Sequence, residues 1–248
     1  MRYARICAAA FLLVFSALSP LFAQDLELTS DKMRYESETG DFFAEGNVKV
    51  TRGALAADSQ TAEGNVNRQE FMMKGGVHVH GAWIEDKVDM KGQTLSGVFT
   101  EPNEFIFDGK VKGHWGPREI DADKLRMKGD YFWGTKIRKY ADTKEGYLLV
   151  CDAAEGRLSG GVMEEFTATG SVYFLSKPKN GEPTEIKGEK AVYSRARGTL
   201  VVSGGVTAVQ AARSLTSSTL IFYPDKNRVE ATGKPRLIFK SEEGQDKK

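Results

Sequence analysis

The sequence has little cysteine and little histidine, with two and three residues respectively. Cys7 lies in an apolar N-terminal stretch that we expect to be removed, so Cys151 stands alone and the mature chain cannot form an internal disulfide. The sequence contains no zinc-type cysteine pair, phosphate-binding glycine loop or nucleophile motif. A net charge of +1 gives no reason to expect a nucleic-acid partner. Few catalytic chemistries remain to be considered.

Long apolar runs are scarce as well, and the one present spans residues 6–22, after a basic start with Arg2 and Arg5. This pattern is typical of a secretory signal, and Ala23 is a plausible cleavage residue, so we expect a signal peptide over residues 1–23. Uncleaved, the run would be a marginal membrane anchor, since about 20 apolar residues are needed to cross a bilayer. The polar segment 241–248 is predicted to be a disordered tail.

The chain instead contains repetition. In seven stretches an apolar residue is followed two positions on by a small residue, with Glu85 as the one exception, and then, usually, by Asp or Glu. Residues five and seven positions from the start complete the pattern. The copies begin at Leu28, Leu55, Trp83, Ile120, Leu149, Ile186 and Leu215. Their spacing of about 27 to 37 residues is in the range of stacked supersecondary units.

This first repeat also predicts a bend. Its two pairs of positions have opposite parity, so they would face opposite sides of an unbroken strand. An extra residue near the acid, as in a β-bulge, would bring all four to one face. We expect the carboxylate to accept hydrogen bonds from the backbone N–H groups that the bulge frees, which gives the acids a structural role.

A second repeat alternates apolar and polar residues around a glycine. The glycines are Gly46, Gly75, Gly109, Gly170, Gly204 and Gly233. Alternation with period two indicates strands with one apolar face, and a glycine at one level indicates a recurrent bend. We predict one all-β domain over residues 24–240, which the glycine spacing could divide into two halves, about 25–133 and 134–240. It would hold roughly 14 to 16 antiparallel strands in a folded-over stack.

The apolar faces of these strands are the candidate site. They can form a packed core, or a trough that accepts acyl chains, and the pattern does not separate the two. The inward residues proposed to bind lipid are Phe42, Val48, Phe71, Met73, Val77, Val79, Phe105, Phe107, Val111, Met127, Phe166, Val172, Phe174, Val202, Val206 and Phe222.

Other candidates are weaker. His78 and His80 share a strand face, but their parity points them to water and no third ligand is evident, so no metal site is predicted. The acids recur in nearly every unit, whereas a glycosidase needs one unique pair, so we do not expect an enzyme. Cys151 occupies a small-residue position and is expected to be buried and inert.

A stack of strands leaves two open edges. Each edge offers unpaired backbone groups to another chain, which favours strand addition and head-to-tail self-association. We therefore expect a partner at each end.

Several motifs resemble the OstA-like (organic solvent tolerance) family, whose members include lipopolysaccharide-transport proteins. They are LTSDKMRY at 28–35, AEGNVKV at 44–50, IKGEKAVY at 186–193 and LIFYPD at 220–225. The resemblance implies a twisted, open antiparallel β-jellyroll in the periplasm, with a lipid groove, no catalysis and no cofactor. It also implies edge-strand pairing with similar domains at the inner and outer membranes.

The function expected from this resemblance is periplasmic transport of lipopolysaccharide from the inner to the outer membrane through an apolar groove. Two alternatives remain: an inner-membrane-anchored export component, and a structural β-stack that binds no lipid.

Overall fold

The computed structural model describes residues 26–83, 86–159 and 162–239 of the chain. The expected signal peptide and the polar tail lie outside these residues and remain predictions, as does the division into two halves. Within the described segments, no helix is long and apolar enough to cross a membrane.

The described chain is almost entirely β-strand, as the alternation predicts. One short 3₁₀ helix, Pro224–Lys226, follows β14. The strands are β1 Leu26–Thr29, β2 Lys32–Glu36, β3 Asp41–Arg52, β4 Leu55–Asn65, β5 Glu70–Trp83, β6 Asp86–Val98, β7 Glu104–Trp115, β8 Arg118–Lys128, β9 Tyr131–Asp142, β10 Tyr147–Ser159, β11 Val162–Ser176, β12 Thr184–Ser194, β13 Thr199–Gln210, β14 Arg213–Tyr223, β15 Arg228–Thr232 and β16 Arg236–Phe239.

These strands form one antiparallel sheet in which chain neighbours pair from β3 to β14. Both β1 and β2 pair with β3, and both β15 and β16 pair with β14. At each end of the sheet, two short strands therefore take the place of one long strand. The expected antiparallel β-jellyroll with about 14 to 16 strands is therefore confirmed.

A kink halfway along each long strand folds the sheet into two walls. Wall A contains β2 and β15, and wall B contains β1 and β16. The rings of Phe174, on wall B, and Phe222, on wall A, lie 6.0 Å apart although β11 and β14 are not paired. The inward faces of both walls therefore meet in one core.

The kink is a register shift at the repeated glycine. In the β3–β4 pair, Glu45 lies opposite Thr61 and Val48 opposite Ser59, so β3 has one residue more than β4 over this interval. The backbone at Gly46 takes a positive φ of 78°, which glycine adopts at little cost. The extra residue therefore lies in the strand that carries the repeated glycine, here called a glycine strand; a strand that carries the first repeat is called an acid strand. The expectation of an extra residue beside the acid was wrong on this point.

The change of parity in the acid strands is confirmed. Ile120, Ala122, Leu125 and Met127 of β8 are all buried, although the first two and the last two have opposite parity. Seen from the acid strand, two successive residues face outward at the kink, and this moves the following residues back to the inward face.

Two copies of the first repeat were aligned wrongly. A Cβ added at Gly75 would meet Gln60, and one added at Gly109 would meet Gln93, so these glutamines occupy the kinks of β4 and β6. The copies therefore begin at Ala57 and Met90 rather than at Leu55 and Trp83. Nearby Asp58 and Asp86 have the residue type of the pattern but lie away from the kink.

Kink acids bind side chains of a neighbouring strand. Asp31 accepts a hydrogen bond from Nδ2 of Asn47 at 2.9 Å, and Asp152 accepts one from Nζ of Lys136 at 2.9 Å. We expected backbone N–H donors here. In both of these pairs the partner residue has a left-handed backbone, whereas Asp123 at the kink of β8 accepts a hydrogen bond from Nη1 of Arg138.

Candidate functional site: the apolar interior

All sixteen residues proposed to bind lipid lie on the inward faces of the two walls. Phe42, Phe71 and Phe166 are partly buried and pack against the core, while the others are buried. The alternation therefore identified the inward face correctly. Whether these side chains touch a lipid stays a prediction.

Aromatic rings fill the interior between β6 and β7. Phe105 and Phe107 are each only 1% exposed. They lie against glycines of the neighbouring strand, because a Cβ at Gly97 would be 2.5 Å from Phe105 and one at Gly92 would be 2.6 Å from Phe107. Complete burial of such a ring contributes about 1.5–3 kcal/mol. This section of the interior is packed core.

Two small apolar cavities lie further along the stack. The first, of about 60 Å³, is lined by Ile120, Leu125, Phe132, Gly134, Ile137, Tyr140, Leu149, Ala154, Met163 and Phe166. The second, of about 50 Å³, is lined by Tyr140, Tyr147, Leu149, Phe166, Phe174, Tyr193, Leu200 and Pro224. They share Tyr140, Leu149 and Phe166, so they adjoin. Residues from both walls line the second cavity.

The cavities coincide with an irregular kink in β9. There, Gly134 and Ile137 both point inward although they are three positions apart and so have opposite parity, and Lys136 between them has a positive φ of 49°. Small inward residues also stand here, including Cys151 and Ala154 of β10. Gaps in an interior otherwise packed like a crystal are uncommon, so this pair of cavities marks a section where the interior is less completely filled.

A polar group faces this region. The hydroxyl of Tyr193 is buried and has no hydrogen-bond partner among the described residues, and its ring stacks on Phe166 at 5.4 Å. Burial raises the pKa of Tyr193 to about 12, and burial likewise raises the pKa of Tyr147 to about 12. Both side chains are neutral near pH 7. A buried hydroxyl without a hydrogen-bond partner costs about 1–3 kcal/mol of stability, and a ligand atom that hydrogen-bonds to it would remove this cost.

Sequence reasoning missed several lining residues, among them Ile137, Tyr140, Leu149 and Tyr193. The proposed set was drawn mainly from the glycine strands, whereas Leu149 and Tyr193 belong to the acid strands. A signal was present, because Leu149 opens one copy of the first repeat and Tyr193 closes another.

The two edges of the sheet are open and apolar. Met33 and Tyr35 on β2 are 51% and 54% exposed, and at the other end Leu237 and Phe239 on β16 are 52% and 69% exposed. In the described sheet, β1 and β2 pair only with β3, and β15 and β16 only with β14, so each has one free backbone edge.

A third potential ligand does accompany the histidine pair on the outer face of wall B. His78 and His80 are 4.8 Å apart between ring centroids, and Asp58 places a carboxylate oxygen in the same cluster. The expectation of no third ligand was wrong, because Asp58 comes from the neighbouring strand β4 and is 20 or more positions away in sequence.

A family model described as LptA/(LptD N-terminal domain) LPS transport protein matches residues 96–228, more than half of the chain. No curated protein matches the sequence. One similar solved structure is LptH, the LptA-homologous periplasmic component of the lipopolysaccharide transport device of Pseudomonas aeruginosa. It is 11% identical, with 88% of this chain and 96% of that chain covered. The TM-score is 0.31.

Proposed function

The chain belongs to the LptA/(LptD N-terminal domain) family of LPS transport proteins, and on that premise we propose that it is a periplasmic lipopolysaccharide-binding protein. It would carry or bridge lipopolysaccharide from the inner to the outer membrane, with acyl chains between the two walls. The observation that carries this proposal is the apolar interior, with two adjoining cavities where the walls meet.

Acyl chains would enter by parting the walls at these cavities. The cavities, of about 60 and 50 Å³, would each hold only a few water molecules, since one water needs about 10–15 Å³. Together they are far smaller than a lipid. Burying a chain of about ten methylenes contributes about 8 kcal/mol at 0.8 kcal/mol each. That is enough to offset the loss of several side-chain contacts between the walls. The sugar and phosphate groups would remain in water at the open side.

The edges would supply the bridge. Strand addition to β2 or β16 would satisfy their free backbone groups and cover Met33, Tyr35 and Phe239. Similar domains at the inner and outer membranes would then continue the apolar interior, and copies of this chain could also join head to tail. No step here needs a nucleotide or cofactor bound to this chain.

Photo-crosslinking to labelled lipopolysaccharide tests the lipid site. A photoreactive amino acid replaces Phe166, which lines both cavities, and the matched control replaces Thr169, an exposed, outward residue of the same strand. We expect crosslinks at position 166 and none at 169. Crosslinking at neither position, in a folded protein, would contradict lipid binding in this region.

A structural β-stack that binds no lipid is the second candidate, and the complete burial of Phe107 favours it. It predicts no crosslink at any inward position. The anchored export component depends on the N-terminus instead. Sequencing the exported protein separates it from the soluble carrier, because cleavage after Ala23 would leave Gln24 as the first residue.

A further inference from the structure

All three histidines of the chain lie on one patch of the outer face of wall B. His78 and His80 are on β5, and His114 is on β7 directly opposite Asp89 of β6. Asp58 on β4 is opposite His78, and Asp89 is opposite His80 on the other side. Strand pairing therefore brings two carboxylates to either side of two imidazoles.

The contacts in this patch are already those of a potential chelate. Nε2 of His80 lies 2.7 Å from a carboxylate oxygen of Asp58, and Nε2 of His78 lies 3.1 Å from one of Asp89. Ligand atoms of Asp58, His78 and His80 all lie within 4.8 Å of one another. In a tetrahedral site, ligands about 2.0–2.1 Å from the metal are a little over 3 Å apart, so small side-chain rotations suffice.

The partial burial of the two histidines also suits a metal site. The side chains of His78 and His80 are each 35% exposed, so they are partly held by neighbours and yet open to a cation from solvent. Ala56, which has a small side chain, stands opposite His80 on β4. Two lysines flank the patch, since Lys49 is opposite Asp58 and Lys91 is opposite His78. Both side chains are exposed, so solvent and salt screen their repulsion of a bound metal ion.

We propose that Asp58, His78 and His80 form a site for a divalent transition cation of the zinc type, with Asp89 as the fourth ligand. Imidazole and carboxylate ligands suit Zn²⁺, whereas Mg²⁺ prefers oxygen alone. The four residues lie on the outer face of wall B rather than in the apolar interior, so the proposal does not rest on the transport function. The bound metal would cross-link β4, β5 and β6 on the outside of wall B.

Calorimetric titration of the full chain with ZnCl₂ tests the proposal, on protein without a histidine tag. We expect one Zn²⁺ per chain with a micromolar Kd and no binding of Mg²⁺. His80→Gln should weaken Zn²⁺ binding at least about tenfold. Even a change to a residue that only hydrogen-bonds to a metal ligand lowers metal affinity about 10- to 100-fold. His114→Gln, an imidazole on the same face outside the three-residue cluster, should leave the Kd unchanged.

Thermal unfolding gives a second readout. At a hundredfold excess of Zn²⁺ over Kd, the Tm of the wild type should rise by about 5–10 °C, and that of the His78→Gln/His80→Gln variant should not. Circular dichroism without metal checks that each variant folds. The proposal is overturned if the wild type binds no Zn²⁺ below millimolar concentration, or if the double variant binds as tightly as the wild type.

Discussion

Two adjacent glycines in the kink of β13 allow one feature of the fold to be tested in isolation. Gly204 and Gly205 both have a left-handed backbone, with φ of 86° and 61°. A Cβ added at Gly204 would lie 2.6 Å from Cβ of Glu189 on the facing strand, whereas one added at Gly205 would meet nothing within 4 Å. Gly204→Ala and Gly205→Ala therefore share the backbone strain and differ in the cross-strand contact.

The two costs can be separated. A left-handed backbone costs an L-residue about 1–2 kcal/mol, and both variants lose this amount. Only Gly204→Ala also forces Cβ against Glu189 near the backbone, and overpacking of this kind costs about 1–3 kcal/mol. We expect the free energy of unfolding to fall by about 1–2 kcal/mol for Gly205→Ala and by about 2–5 kcal/mol for Gly204→Ala.

Urea unfolding followed by circular dichroism measures both values, and the kink of β5 repeats the experiment. There, a Cβ at Gly75 would meet Gln60 at 2.7 Å, and one at Gly76 would meet nothing within 4 Å. Equal losses for the two members of each pair would refute the reasoning, because they would show that the facing residue does not close the kink. A double variant with Glu189→Gly should recover the difference at Gly204.

Three further predictions concern the interior and the charges. Leu149→Ala should enlarge both cavities and lower the free energy of unfolding by about 2–5 kcal/mol in the same assay; a loss below about 1 kcal/mol would mean that the site collapses. Burial raises the pKa of the Cys151 thiol to about 12, so a disulfide reagent near pH 8 should modify it only as fast as the chain unfolds. Burial raises the pKa of the Asp121 carboxyl, but hydrogen bonds from Lys112 and Arg138 outweigh it and hold the pKa below its ordinary value of 3.8. The stability from this carboxylate should be complete above about pH 4 and be lost as the pH falls through the lowered pKa. Asp121→Asn should therefore flatten the acid side of a plot of urea midpoint against pH, and an unchanged slope would count against the ion pairs.

The alternation of apolar residues was sufficient to identify the inward face of the walls. A side chain on a strand has only two directions, so Phe107 and Phe174 could be placed inside from their spacing alone. The change of parity in the acid strands could be predicted for the same reason. Local spacing also placed the bend at Gly46 and its counterparts, because few residues other than glycine accept that backbone.

Alignment between strands was harder to predict. Asp58 and Asp86 resemble kink acids in sequence, yet Gln60 and Gln93 face the glycines. A shift of two residues keeps the same parity, so alternation alone cannot detect it in β4. The position of the extra residue was missed as well, since it is defined only by counting one strand against its neighbour.

The sequence by itself determined the all-β class, the repeated kink and the family resemblance, because each depends on residues a few positions apart. Only the tertiary structure decided where the interior is filled and where it is open, since this depends on how side chains from opposite walls meet. It also decided that Asp58 and Asp89 stand on either side of His78 and His80. Contacts of this kind join separate strands, and their pairing register, rather than any local pattern, brings the residues together.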